Sequence, residues 1–120
     1  MYPEEMIAPM RQDLTSSGVQ EVRDAATVES LINSEGTTLF VVNSVCGCAA
    51  ANARPAVKMA LQNDKLPTRS LTSFAGNDRE AVSRAREMMA PYPPSSPSIA
   101  LFQDGVLVHM IERHHIEGRP

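Results

Sequence analysis

Apolar positions along the chain follow two periods, one suited to helices and one to strands, and their alternation predicts the order of elements. Met6, Ile7, Met10 and Leu14, at spacings of one, three and four, predict an amphipathic helix from Glu4 to Leu14 that ends before Ser16-Ser17-Gly18. Val19 and Val22 suit a short edge strand, and Asp24 offers a cap for a helix through Ala25, Val28, Leu31 and Ile32, closed by Gly36. The unbroken run from Thr37 to Asn43 reads as a core strand. The alanine-rich stretch from Ala49 to Gln62 reads as a helix packed through Val57, Met59, Ala60 and Leu61 and kinked at Pro55. Leu66 to Phe74 reads as a strand, and Asn77-Asp78-Arg79-Glu80 resembles a capping box opening a helix through Val82, Ala85, Met88 and Met89. Ser98 to Phe102 and Val106 to Ile111 are two further strands, joined at Gln103-Asp104-Gly105 by a hairpin turn. A hairpin after a β-α-β unit predicts an α/β fold with a central mixed β-sheet flanked by helices. The run Pro91-Tyr92-Pro93-Pro94-Ser95-Ser96-Pro97 reads as a rigid loop leading into a strand rather than a polyproline ligand.

Cys46-Gly47-Cys48 follows the core strand and holds the only two cysteines of the chain. A bridge that closes a single intervening residue removes almost no freedom from the unfolded chain, so a structural staple is a poor reading. Two residues apart on a helix, side chains diverge by about 200°, and an internal disulfide there is easily reduced. At the mouth of a helix, Cys46 would meet unpaired N–H groups and the positive end of the helix dipole, which favour thiolate. Cys46 is therefore the expected nucleophile, and Cys48 the resolving thiol that attacks a mixed disulfide formed on it.

With 120 residues and 42% hydrophobic residues, the chain is expected to form one domain over residues 1–120. A net charge of −3 with no run of Lys or Arg gives no electrostatic footprint for nucleic acid or an anionic membrane. Met1-Tyr2-Pro3-Glu4-Glu5 lacks the pattern of a signal peptide, and no apolar run approaches the roughly 20 residues that span a bilayer. The expected compartment is cytoplasmic, where paired cysteines are more often catalytic or metal-binding than structural.

The strand ending at Cys-x-Cys, the helix after it and the segment Ser96-Pro97-Ser98-Ile99-Ala100-Leu101-Phe102-Gln103-Asp104-Gly105 together resemble a thioredoxin fold. More narrowly, Val42-Asn43-Ser44-Val45-Cys46-Gly47-Cys48-Ala49 and Glu112-Arg113-His114-His115-Ile116-Glu117-Gly118 are similar to the bacilliredoxins, the bacterial Cys-Gly-Cys family of YphP and YqiW type. The resemblance implies a cis-proline at Pro97 that faces the thiols and binds a substrate segment. It also implies a thiol-disulfide oxidoreductase with no bound cofactor and bacillithiol as cosubstrate. Cys46 would take bacillithiol from mixed disulfides on client proteins, alongside weaker disulfide reductase or isomerase activity. The resemblance implies a further C-terminal helix after the His114-His115-Ile116-Glu117-Gly118 segment, whereas the sequence stops at Pro120; without that helix apolar strand residues would be exposed or covered by self-association into a homodimer.

A reading from another class remains open. Cys46 and Cys48 with His114-His115 offer a tetrahedral zinc set, as in a metal-binding or metal-delivery domain. Thr38, Asn43 and Ser44 flank the motif and read as ordinary loop and capping residues. Arg54, within two turns of Cys46, reads as a solvated helix charge, with the carboxylate of a small thiol as its alternative partner. Met6, Met10, Met59, Met88 and Met89 fall on predicted apolar faces as core filler and imply no metal.

Overall fold

The structure, a computed structural model, describes residues 2–45, 53–61, 66–92 and 96–111. In them α1 (Glu4–Thr15), β1 (Gln20–Glu21), α2 (Ala25–Ile32) and β2 (Thr37–Asn43) are followed by α3 (Arg54–Ala60), β3 (Arg69–Phe74), α4 (Arg79–Met88), β4 (Ser98–Gln103) and β5 (Val106–Ile111). The strands form one mixed sheet in the order β1-β3-β2-β4-β5. β1 and β2 run parallel to β3, while β4 runs antiparallel to both β2 and β5.

β2 is the middle strand, and its run Thr38-Leu39-Phe40-Val41-Val42 is continuously apolar after the threonine because both of its faces are covered. Phe40 and Val42 point into the larger core beneath α2 and α4, with Leu71, Ala85 and Phe102. Val41 points the other way and packs with Leu14 of α1, Val57 of α3 and Ile99. The result is a three-layer arrangement with α1 and α3 on one face and α2 and α4 on the other.

Local signals explain most boundaries. Asp24 caps α2 as expected, its carboxylate accepting the Thr27 N–H at 2.8 Å. Asp104 and Gly105 both adopt positive φ, 51° and 85°, as a two-residue hairpin turn between twisted strands demands. β3 begins at Arg69, three residues later than the alternation suggested, and β4 extends to Gln103. Pro55 stands in the first turn of the described part of α3, where its missing N–H costs little; residues 49–52 and 62 of the expected helix lie outside the described residues.

Several expected core positions differ. Met6 and Met59 are exposed, Met59 at 74%, and Ala60 also faces out, so α3 packs through Val57 and half-buried Leu61. On α1 the buried stripe runs Ile7, Arg11, Leu14. Arg11 therefore sits inside although charged, and its surroundings explain why. Its two terminal nitrogens meet the two oxygens of Asp78 at 2.7 and 2.9 Å, Glu4 accepts from it at 3.0 Å, and the guanidinium lies 5.5 Å from the Phe74 ring centroid. This fork also overturns the capping box: Asp78 precedes α4 but caps no N–H of that helix, because its carboxylate is taken by Arg11 and by the Phe74 N–H at 2.8 Å.

Burial alone would push the Asp78 carboxyl up. The Arg11 hydrogen bonds, the Phe74 N–H and the charges of Arg11 and Arg23 outweigh burial and hold its pKa below the usual carboxylate value. A depressed folded-state pKa means that the unfolded chain binds the proton more readily. The stabilisation is then complete above about pH 4, near the ordinary Asp value, and is lost as pH falls through the lowered folded value. Asp78→Asn should cost about 3 kcal/mol at pH 7, the low end for breaking a buried pair because Glu4 and Glu21 still face Arg11. Urea unfolding should show the gap from wild type narrowing as pH falls below about 4; a constant gap would contradict the assignment. Gly105→Ala should cost about 1–2 kcal/mol for left-handed backbone, since an added Cβ would also stand 2.7 Å from Asn33 Oδ1. The urea midpoint measures this directly.

Candidate active site

β2 leaves the sheet through Asn43, Ser44 and Val45, and the next residues in sequence are Cys46-Gly47-Cys48. Residues 46–52, and so both cysteines, lie outside the described residues, as do His114 and His115. What is described is the frame on either side of the motif.

Asn43 is 1% exposed and fully engaged. Its Nδ2 donates to the Met10 carbonyl of α1 at 3.1 Å, and its Oδ1 accepts the Ser44 N–H at 2.9 Å and Arg54 Nη1 at 3.1 Å. Its own carbonyl accepts the Ala75 N–H at 3.0 Å, which continues the β2–β3 ladder past the strand ends. Arg54 Nη1 also donates to the Ser44 carbonyl at 3.0 Å, and Arg54 Nε donates to Asp13 Oδ2 at 3.1 Å. Lys58, one turn along α3, donates to the other Asp13 oxygen at 2.7 Å. The Lys58 hydrogen bond, then its charge and the Arg54 contact, hold the Asp13 carboxyl below the usual range against a smaller opposing effect of burial. Asp13 is thus ionised at neutral pH, and two cations share one anion.

The solvated-charge reading of Arg54 is corrected by this arrangement. Arg54 is only 6% exposed, because its donors are spent on the strand exit and on Asp13. Asn43 is likewise no ordinary loop residue, since it joins β2 to both α1 and α3. Thr38 does not flank the motif: it starts the other end of β2, where its hydroxyl accepts from Arg69 at 2.6 Å and donates to the Leu31 carbonyl.

Pro97 is buried and immediately precedes β4. Its neighbour Ser98 is in register with Val42, so Pro97 lies at the end of the sheet where β2 exits. The Ser96–Pro97 bond is cis, and so is Ala90–Pro91. Among the described residues no group of three or more His, Cys, Asp or Glu could hold a metal. Among them also, no helix is long and apolar enough to cross a membrane. On the edge strand, Val106 and Val108 are exposed.

Sequence reasoning missed Asp13 and Lys58 altogether. Lys58 could have been found, since Arg54 and Lys58 are four apart and share a helix face. Asn43, a polar residue closing an apolar strand, was the other readable signal. Asp13 carries no local signal, because its partners are 41 and 45 residues away.

A family model described as disulphide isomerase matches residues 2–120. A bacilliredoxin of Cytophaga hutchinsonii is 55% identical over 119 residues, covering 99% of this chain and 88% of that protein. One from Koribacter versatilis is 52% identical over 99% of this chain and 83% of its own length, and one from Staphylococcus aureus is 48% identical over 98% and 81%. Among solved structures, mitochondrial thioredoxin 3 of Saccharomyces cerevisiae superposes with a TM-score of 0.61 at 18% identity, covering 82% of this chain and 85% of that one. Fasciola hepatica thioredoxin gives 0.60 at 16%, covering 78% and 86%. At such identities the likeness carries the fold alone, and it is the thioredoxin fold, with the strand order and the buried proline before β4 already described. Kinship over nearly the whole chain at about half identity carries the rest, and the chain belongs to the bacilliredoxin family of thiol-disulfide redox enzymes.

Proposed function

We propose that this protein removes bacillithiol from mixed disulfides on client proteins, with Cys46 attacking, Cys48 resolving and Pro97 bordering the substrate segment. The observation that carries the reading is the kinship with bacilliredoxins over nearly the whole chain, in a protein whose only two cysteines follow directly on its central strand.

The chemistry is thiol-disulfide exchange, which moves sulfur bonds without net change of oxidation state in the first step. The Cys46 thiolate attacks the bacillithiol sulfur of the client disulfide. A bond forms between the two sulfurs, the client–bacillithiol bond breaks, and the client leaves as thiolate. The Cys48 thiolate then attacks the Cys46 sulfur, bacillithiol leaves as thiolate, and Cys46 and Cys48 remain joined. A low-molecular-weight thiol reduces that bond in two further exchanges and is itself oxidised to its disulfide. A bridge across one residue adds little loop-closure stabilisation, which suits a pair that must be reduced easily.

Intact mass after incubation with bacillithiol disulfide, with glutathione disulfide in parallel and metal content measured on the untreated protein, tests this. Wild type should pass through an adduct to the internal disulfide, Cys48→Ala should accumulate the bacillithiol adduct on Cys46, and Cys46→Ala should gain no adduct. Bacillithiol should react in preference to glutathione. Full, equal activity of both variants would overturn the roles, and stoichiometric metal on an unreactive protein would favour the metal-binding alternative.

A further inference from the structure

We propose that Arg54 is a positioning residue for the thiol pair, tying the strand exit before Cys46 to the helix after Cys48 and holding a fixed positive charge between them. The inference takes its functional meaning from the reading of Cys46 as the attacking thiol. It stands on a contact outside the motif.

Ser44 and Arg54 bracket the segment that contains both cysteines, and the bond between them closes it. The Arg54 backbone belongs to α3 and its guanidinium reaches back across to the Ser44 carbonyl and the Asn43 side chain. Two neutral acceptors on the strand and one carboxylate on α1 thus fix a buried cation in place, where a single hydrogen bond would leave it free to swing. Asn43 cannot turn away, because its amide nitrogen is committed to Met10.

Among the described residues the charge at this corner does not cancel. Arg54 and Lys58 are the charged residues of α3, and both converge on Asp13. Of the other charged residues on α1, Arg11 is paired with Asp78 and Glu4, and Glu5 is exposed. β2 and β4 carry no charged residue, and the one on β3, Arg69, lies at its opposite end beside Thr38. Among the described residues, Arg54 and Lys58 share the single anion Asp13, which leaves one unit of positive charge beside the strand exit. Positive charge near a thiol favours the thiolate and makes it the better nucleophile at neutral pH.

The test uses the Cys48→Ser background, which leaves Cys46 as the sole thiol, and reads the pH midpoint of its alkylation by iodoacetamide. Arg54→Met should raise the midpoint by about one pH unit, and Lys58→Met should raise it by less, since Lys58 is the more exposed cation. Asp13→Asn should lower it, because two cations then stand without their anion. Arg54→Lys should restore part of the shift. All these variants lose ion-pair contacts, so thermal denaturation should show each one less stable than the parent. A purely structural role would move every midpoint the same way, toward an ordinary thiol. Opposite signs for Asp13→Asn and the cation variants therefore support the proposal, and like signs or unchanged midpoints overturn it. Should Arg54→Met fail to fold, the signs of the Asp13→Asn and Lys58→Met shifts decide between the two roles in the same way. If wild-type Cys46 exchanges with no disulfide, the functional reading fails, while the midpoints still judge Arg54.

Discussion

The central strand β2 is the constraint on which the rest of the structure depends. It is hydrogen-bonded to β3 on one side and β4 on the other, and it is buried from Phe40 to its exit at Ser44. A strand held on both edges and both faces has one register, since a slip of one residue would exchange Phe40 and Val42 for Leu39 and Val41 in the larger core. That fixes where the chain leaves the sheet, three residues before Cys46 in the sequence. It also fixes Pro97 opposite that exit, through the pairing of Ser98 with Val42.

Helix α1 ties the two ion clusters to this frame. Two residues apart, Arg11 and Asp13 reach in different directions: Arg11 to Asp78 beyond β3, Asp13 to Arg54 and Lys58 on α3. Both clusters sit at the ends of β2 and β3 from which the chain departs toward its helices. Buried charge is costly unless every partner is present. The clusters are accordingly an orientation device more than a source of net stability, the bulk of which comes from the two apolar cores.

Much of this was legible in the sequence because it depends on local pattern. The bounds of β2 and β5, the Asp24 cap and the Asp104-Gly105 turn all followed from neighbouring residues. The family resemblance added the cis bond at Pro97, which no spacing rule supplies. What failed was whatever depended on distant partners. Arg11 sits inside because Asp78, 67 residues away, accepts its fork, and Asp78 abandons its capping position for the same reason. Met59 is outside because α3 needs only one side for Val57. Arg54 looked like any helix-surface charge until Asn43 and Asp13 were brought against it.

If Cys46 is the exchanging thiol, as proposed, the placement of that arginine matches what such a thiol requires. A cysteine that reacts with protein disulfides has to meet its substrate, so it cannot be fixed by burying it in the core. The residues that fix it must stand on either side, and they must do so by polar contacts, because an apolar anchor there would hold the chain without influencing the sulfur. A lysine at position 54 would supply the charge but not the planar fork that engages Asn43, Ser44 and Asp13 together. A glutamine would supply some hydrogen bonds but no charge. Arginine is the side chain that does both, and its burial is what a solvated surface charge would not show.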